Sequence, residues 1–424
     1  MISSARAGKA PQQAYVWVWL PGRTEPVVAG RVARTERGLQ FNYGRSYLER
    51  KDAIALYDPE LPLRPGPLPL LPGLTMPNCL RDACPDAWGR RVILHNVTGR
   101  SQADPGELTE LTYMLASGSE RIGALDFQAS PSEYVPRVQE QASLDHLLEA
   151  AELLDQGAAL PSALELALLH GTSLGGARPK ALLTDRQIPY VAKFSSTSDV
   201  FPVVQAEFVA MRLARLVGLD AAPVELVRVA GKKVLLVQRF DRHKTPAGWQ
   251  RKMVVSALTL LELDELMARY ASYEDLAEII RFRFTQPQAT LKELFARVVF
   301  NVLCGNTDDH ARNHAAFWDG AQLQLTPAYD ICPQNRSGNE ASQAMLIQDR
   351  DRSSRLESCL AAARQFLLSQ SEAQAIIEQQ IEGLYRHWDA ICDAAGLTAV
   401  ERGRLWGRQF CNPSAMPPYE RQFE

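Results

Sequence analysis

No apolar run in this 424-residue chain approaches the roughly 20 residues that a membrane-crossing helix requires, so a bilayer span is not expected. The opening Met1-Ile2-Ser3-Ser4-Ala5-Arg6-Ala7-Gly8-Lys9-Ala10 has no apolar core of a secretory leader either. Charge of one sign is also missing: 46 Lys and Arg against 49 Asp and Glu leave a net charge of −3, and no global basic field attracts nucleic acid. DNA would have to be reached through a partner. The 7 Cys are scattered without paired C-x-x-C spacing, which argues against structural zinc and a disulfide framework and for reduced thiols in a cytoplasm. Internal repeats are absent. What remains, 46% hydrophobic and 22% charged residues, is an ordinary globular composition, long enough to bury two or three cores.

The patterning predicts an α+β fold in four stretches. Residues 1–14 read as a polar, unstructured tail. Over 15–135, Tyr15-Val16-Trp17-Val18-Trp19-Leu20 and alternating segments to about Tyr57 predict short strands, with turns at Pro21-Gly22 and Ala29-Gly30. A stiff Pro-rich connector from Leu61 to Gly73 then leads to a helix over Asp82 to Leu94. Residues 136–242 combine a helix from Ser143 to Gln156 with two hairpins. Over 243–424 helical patterns dominate: Ser272-Tyr273-Glu274-Asp275 opens a helix to about Phe284, and Ser371 to Ala395 is a long amphipathic helix closed by Gly396.

The chemistry concentrates at Gly305-Asn306-Thr307-Asp308-Asp309-His310-Ala311-Arg312-Asn313 and, some twenty residues on, Thr326-Pro327-Ala328-Tyr329-Asp330. Asp308 and Asn313 have the D-x-x-x-x-N spacing of a kinase catalytic loop, in which the carboxylate takes the proton of the attacking hydroxyl and the amide oxygen holds magnesium. Counted from Asp309, the Asn comes one residue early, so Asp308 is the expected base. Asp330, after a short hairpin, is the expected second metal ligand, and His310 is expected to orient the carboxylates by hydrogen bonding. The competing reading is a helix cap or solvated turn, the common fate of an Asp pair. The preceding stretch Leu294 to Leu303 is apolar with helical periodicity and should be buried, which is more than a plain surface turn needs for support.

Upstream, Gly171-Thr172-Ser173-Leu174-Gly175-Gly176-Ala177-Arg178-Pro179-Lys180 has the Gly separation of a P-loop, but Ala177 stands where its Lys must be and no helix follows. A hairpin pattern follows instead, as for a Gly-rich lid between strands. Lys193 ends a Val-Ala-Lys strand, and Glu207 lies in the first turns of the next helix, where a Lys–Glu ion pair would need it. A strand-end Lys and a helix N-terminal Glu are the plain alternatives. A second hairpin ends at Val237-Gln238-Arg239-Phe240-Asp241-Arg242, where an adenine-binding hinge would lie. Each signal is weak alone, but they occur in the order of one machine.

In Ser173-Leu174-Gly175-Gly176-Ala177-Arg178-Pro179-Lys180, Gln238-Arg239-Phe240-Asp241-Arg242, Thr307 to Asn313 and Thr326 to Asp330, the sequence resembles the HipA family, serine/threonine kinase toxins of bacterial type II toxin–antitoxin modules. The resemblance implies a bilobal kinase-like fold: a β-rich N-terminal subdomain (15–135), a small nucleotide-binding β lobe (136–242) and a large all-helical C-terminal catalytic lobe (243–424). It implies ATP and Mg2+ as cofactors, Asp308 as base, Asn313 and Asp330 as metal ligands, and Lys193 as the ATP-phosphate Lys. The nucleotide set it implies is Gly175, Gly176, Ala177, Lys180, Lys193, Glu207, Val237, Gln238, Phe240, His310, Asn313 and Asp330. It further implies autophosphorylation at Ser173 as an off-switch, with Thr172 beside it as another acceptor. The implied partners are a small helix-turn-helix antitoxin that carries the chain to DNA, and a substrate such as glutamyl-tRNA synthetase or another translation component. Two other readings compete: a kinase-like corepressor that mainly binds the antitoxin, and a metal-dependent phosphohydrolase using Asp308, Asp309, His310 and Asp330. The second leaves the Gly-rich segment, Lys193 and Glu207 without roles.

Overall fold

The computed structural model describes residues 10–100, 103–137, 143–156, 158, 161, 164, 178–196, 199–336, 338–417 and 419. The chain packs into two compact units. One comprises Met1–Ser198, Val227–Val255 and Trp318–Ala321; the other comprises Asp199–Leu226, Ser256–Phe317 and Gln322–Glu424.

The first unit holds two four-stranded sheets. In the N-terminal sheet β1 (Gln13–Val18), β2 (Val27–Thr35), β3 (Gly38–Tyr43) and β4 (Leu125–Gln128) run in the order β3-β2-β1-β4. Period-2 patterning sets the faces, and β3 buries Leu39, Phe41 and Tyr43 in strict alternation. The expected turn at Ala29-Gly30 is instead a bulge inside β2. Val16 pairs with Gly30 and Trp17 with Val28, which leaves Ala29 as the extra residue. Gly is required beside it, because a Cβ on Gly30 would sit 2.2 Å from the Asn42 carbonyl oxygen of β3.

The helix expected over Asp82 to Leu94 begins later, as α1 (Ala87–Thr98), with Asp86 as its extended first cap and Gly99 in the left-handed region at its end. Pro85 accounts for the delay, since it holds the residue before it out of the helical region. Trp318, far along the chain, returns to this unit, its indole N–H donating to the Ala55 carbonyl at 2.8 Å and its ring meeting Tyr57 edge-on.

In the second sheet β5 (Lys180–Asp185), β6 (Ile188–Lys193), β7 (Val224–Val229) and β8 (Lys232–Gln238) run in the order β5-β6-β8-β7. Ala181, Tyr190, Ala192 and Leu236 line one face and pack on α2 (Leu144–Asp155), through Leu147, Leu148, Ala151 and Leu154, and on Trp88 of α1. Just past β8 lies a buried ionic cluster. Asp241 accepts from the Gly123 amide at 2.7 Å, from Arg239 Nε at 3.0 Å and Nη2 at 2.8 Å, and from Arg242 Nη1 at 2.8 Å. Burial raises the Asp241 pKa, but the two guanidiniums prevail and hold it far below the carboxylate range. The cluster ties the end of β8 to the loop before β4.

The second unit is mainly helical: α3 (Val203–Leu216), α4 (Tyr273–Arg283), α5 (Pro287–Cys304) and α6 (Gln370–Ala395). Ser272 caps α4 by accepting the Asp275 amide, and α6 runs from a Ser369–Glu372 capping box to Gly396. In α5, Pro287 occupies the first turn, and Leu294, Phe295, Val298, Val299, Phe300, Val302 and Leu303 are buried, as the periodicity predicts. Gly305 ends it at φ +68°, against the Gln409 backbone. A short hairpin of Ala315–Trp318 and Leu323–Leu325 separates Asn313 from Asp330 in sequence.

Candidate active site

The buried helix α5 delivers its C-terminal end to a tight loop that runs into a single 3-10 turn, Ala311–Asn313. The His310 amide and the Asn313 Nδ2 both donate to the Asp308 carbonyl, at 2.8 and 3.2 Å. With its NH2 so committed, Asn313 has its Oδ1 available for another partner. The two acidic residues part company here: Asp308 is exposed, whereas Asp309 is 3% exposed. Partial burial of the Asp308 carboxyl raises its pKa above the ordinary range; His310 lowers it, and Asp330 and Asp309 raise it further. His310 and Asp330 therefore each lie within electrostatic reach of Asp308.

Asp330 is held at φ +59°, in the left-handed region that few non-glycine residues adopt. Its approach is pinned. Tyr329 donates its hydroxyl to the Arg312 carbonyl at 2.7 Å, Ala328 donates its amide to the Asp220 carbonyl at 2.7 Å, and Arg297 Nη2 donates to the Thr326 carbonyl at 2.9 Å. The donor set of this corner, one carboxylate and one amide oxygen, suits a hard cation that keeps water and phosphate oxygens as its other ligands. Among the described residues no group of three or more His, Cys, Asp or Glu is arranged to hold a metal.

The imidazole that binds a carboxylate is not the expected one. His314 Nε2 lies 2.8 Å from Asp309 Oδ2, while His310 Nδ1 is buried with no hydrogen-bond partner among the described residues. Tyr273 and Asn301 also donate to Asp309. Sequence reasoning missed these three, and the only local sign of them was the doubled acid itself. Arg239 and Asp241 were also unforeseen as a buried ionic cluster, since their partners lie near residue 121.

In the first unit, register places Lys180 directly opposite Lys193, and Lys193 opposite Leu235. Both lysines thus leave one face of the sheet, the face shared with Leu182, Val191 and Val237 and opposite to the α2 core. Lys180 is 6% exposed. Gln238 ends β8 on the other face, with Phe240 two residues beyond it. Glu207 lies within α3 of the second unit and is 3% exposed. Thr172, Ser173, Gly175, Gly176 and Ala177 lie outside the described residues.

A family model described as the HipA-like C-terminal domain matches residues 172–388, and one described as the HipA N-terminal domain matches residues 18–128. The chain belongs to the HipA family. A protein of Sinorhizobium fredii whose name calls it a kinase is 26% identical over 347 residues, which are 74% of this chain and 76% of that protein. The serine/threonine-protein kinase toxin HipA of Shewanella oneidensis is 28% identical over 160 residues, 34% of this chain and 37% of that one. The HipA fold extends over nearly the whole molecule. A Shewanella oneidensis toxin–antitoxin structure of HipA, HipB and operator DNA superposes with a TM-score of 0.67 at 18% identity, covering 94% of this chain and 99% of that one. Among the described residues no helix is long and apolar enough to cross a membrane.

Proposed function

We propose that this HipA-family chain is an ATP-dependent protein serine/threonine kinase that acts as a growth-inhibiting toxin. The observation that carries the reading is the corner formed by Asp308, Asn313 and Asp330. It combines an outward carboxylate, an amide whose oxygen is left available by its bond to the Asp308 carbonyl, and a second carboxylate at a left-handed backbone position. A phosphohydrolase would also use acidic residues, but Asp309 is turned inward, with its Oδ2 taken up by Tyr273, Asn301 and His314.

In this reading Asp308 accepts the proton as the acceptor Ser or Thr oxygen bonds to the γ-phosphorus of ATP and the bond from that phosphorus to the β–γ bridging oxygen breaks, releasing ADP. Asp330 and the Asn313 Oδ1 would hold magnesium, which when bound supplies positive charge to the phosphates. Lys193 and Lys180, directly opposed on one face, would meet phosphate. The adjoining Leu182, Val191 and Val237 give that face an apolar surface for a base, with Gln238 at the end of β8 and Phe240 just past it. Gly175, Gly176 and Ala177 would cover the phosphates. Ser173 beside them would take the autophosphorylation that shuts the enzyme off, because the added charge repels the ATP phosphates. The likeness to a HipA solved with HipB on operator DNA supports a small helix-turn-helix antitoxin as partner, with DNA reached through it. A translation component such as an aminoacyl-tRNA synthetase is the proposed substrate, and the cytoplasm the proposed compartment.

Asp308→Asn tests the reading. Transfer of phosphate from ATP to protein is expected to fall by about 10²–10⁴-fold, with Mg–ATP affinity by calorimetry largely retained. Full transfer by Asp308→Asn beside an inactive Asp309→Asn would move the base and break the assignment.

A further inference from the structure

The loop that carries Asp308 is tied down from inside by the residue next to it. Three side chains from three elements converge on one oxygen, Asp309 Oδ2. The Tyr273 hydroxyl, from the first turn of α4, donates to it. Asn301 Nδ2, from the last turn of α5, donates at 2.7 Å, and His314 Nε2, just ahead of the strand Ala315–Trp318, lies at 2.8 Å. All four residues are buried. Burial first, and the Asp309 charge second, keep the Tyr273 phenol protonated and therefore a donor. The Tyr273 and His314 rings meet edge-on, with centroids 5.5 Å apart and planes at 86°, which fixes the plane of the imidazole.

The web reaches the start of the loop as well, because Asn301 Oδ1 accepts from Asn306 Nδ2 at 2.9 Å. His314 Nδ1, by contrast, is buried with no hydrogen-bond partner among the described residues. Capping a plain turn takes one local bond. Burying the Asp309 carboxylate costs free energy that these three donors offset, and the unbonded ring nitrogen adds to the cost, so the web is more than a plain turn requires.

We propose that Asp309 is an anchor, with Tyr273, Asn301 and His314 as its positioning residues, and that it holds Asp308 in the geometry needed for phosphoryl transfer. The proposal rests on the kinase reading above. Asp308 and Asp309 share a peptide group, so fixing the Asp309 side chain fixes the Asp308 carbonyl, which in turn receives the His310 amide and the Asn313 Nδ2. One buried contact thus sets the backbone from which the outward Asp308 carboxylate projects.

The experiment measures phosphate incorporation from labelled ATP into the full-length chain itself and into casein as a generic acceptor. It also measures KM for Mg–ATP and the melting temperature of each variant. Tyr273→Phe removes a single oxygen, and His314→Leu removes the ring donor. Each is expected to lower kcat by roughly 10- to 100-fold, the effect of a misplaced reacting group, while KM for Mg–ATP stays within about twofold. His314→Gln, which keeps a donor at similar reach, is expected to recover most of the rate. In an Asp308→Asn background none of these changes should lower the residual rate further, because the anchor acts through Asp308.

Unchanged kcat in Tyr273→Phe and His314→Leu, with Asp308→Asn inactive, overturns the anchor and leaves the kinase reading standing. A parallel loss of kcat, Mg–ATP affinity and melting temperature also overturns it, in favour of general stability. Transfer that is absent in the unaltered protein, or undiminished in Asp308→Asn, removes the kinase reading instead.

Discussion

Replacing Asp241 with Ala would withdraw the shared counter-ion of two buried guanidiniums. The side chains of Arg239 and Arg242 are each 3% exposed, and Asp241 accepts three bonds from them and a fourth from the Gly123 amide. Removing one partner of a buried ion pair costs about 3–5 kcal/mol, since the remaining charge stays desolvated. Both arginines keep a bond to the Arg121 carbonyl at 2.6 Å, and both face Glu120, so the lower end, about 3 kcal/mol, is expected here. That corresponds to a rise of roughly 100-fold in the population of the opened region. Urea unfolding would read the total, and hydrogen exchange at Gly123, whose amide donates to Asp241 at 2.7 Å, would read it locally. The pH dependence has a definite sign. The folded pKa of Asp241 is lowered, so its contribution is fully present at neutral pH and is lost only as the pH falls through the acid range below the unfolded carboxylate pKa. The gap between variant and parent should therefore be flat from about pH 6 to 8. A loss below about 1 kcal/mol with unchanged Gly123 exchange would mean that the cluster does not hold these segments together.

Asp330→Ala should weaken Mg–ATP binding as well as turnover, read by calorimetry; equal affinity would remove Asp330 from the metal side. Gly305→Ala should destabilise the second unit by more than about 1 kcal/mol, because the site has positive φ and the added Cβ would sit 2.6 Å from the Gln409 carbonyl oxygen; an unchanged urea midpoint would contradict this. Glu60, buried and accepting the Asn78 and Cys79 amides, has its carboxyl pushed by burial from 4.5 to about 7. The fold therefore binds this proton more tightly than the unfolded chain does, and stability should fall by about 3 kcal/mol as pH rises from about 4.5 to 7, then level off. Glu60→Gln should remove that slope, and a slope that survives would place the titration elsewhere.

Much of the local structure around the candidate site was legible because its parts are close in sequence. The buried periodicity of Leu294 to Leu303, the Asp308 to Asn313 count and the hairpin before Asp330 are all local, and α5, the 3-10 turn and the short hairpin follow them. The anchor was not legible, since Tyr273 lies 36 residues before Asp309 and carries a Tyr that reads equally well as core. Distance in sequence also hid the role of Arg239, which bonds to carbonyls 118 and 119 residues away. Ala29-Gly30 misled for a different reason. Alanine–glycine reads as a turn on composition, but here the glycine serves a close approach of β2 to β3, which no single-strand pattern reports.

The bond from Trp318 to Ala55 spans 263 positions, and it sets the order in which a nascent chain can finish folding. At roughly 5–20 residues per second, some 13–50 s separate the appearance of its two ends, during which the Tyr57 ring has no indole to meet. The N-terminal unit therefore matures only after α3, α4 and α5 have been synthesised. A message cut short anywhere before Trp318 yields a first unit without its closing segment, rather than a finished module awaiting its partner. Fragments expressed to match the N-terminal family boundary should for the same reason be less stable than their sheet content suggests, and supplying the missing stretch in trans is the way to recover them.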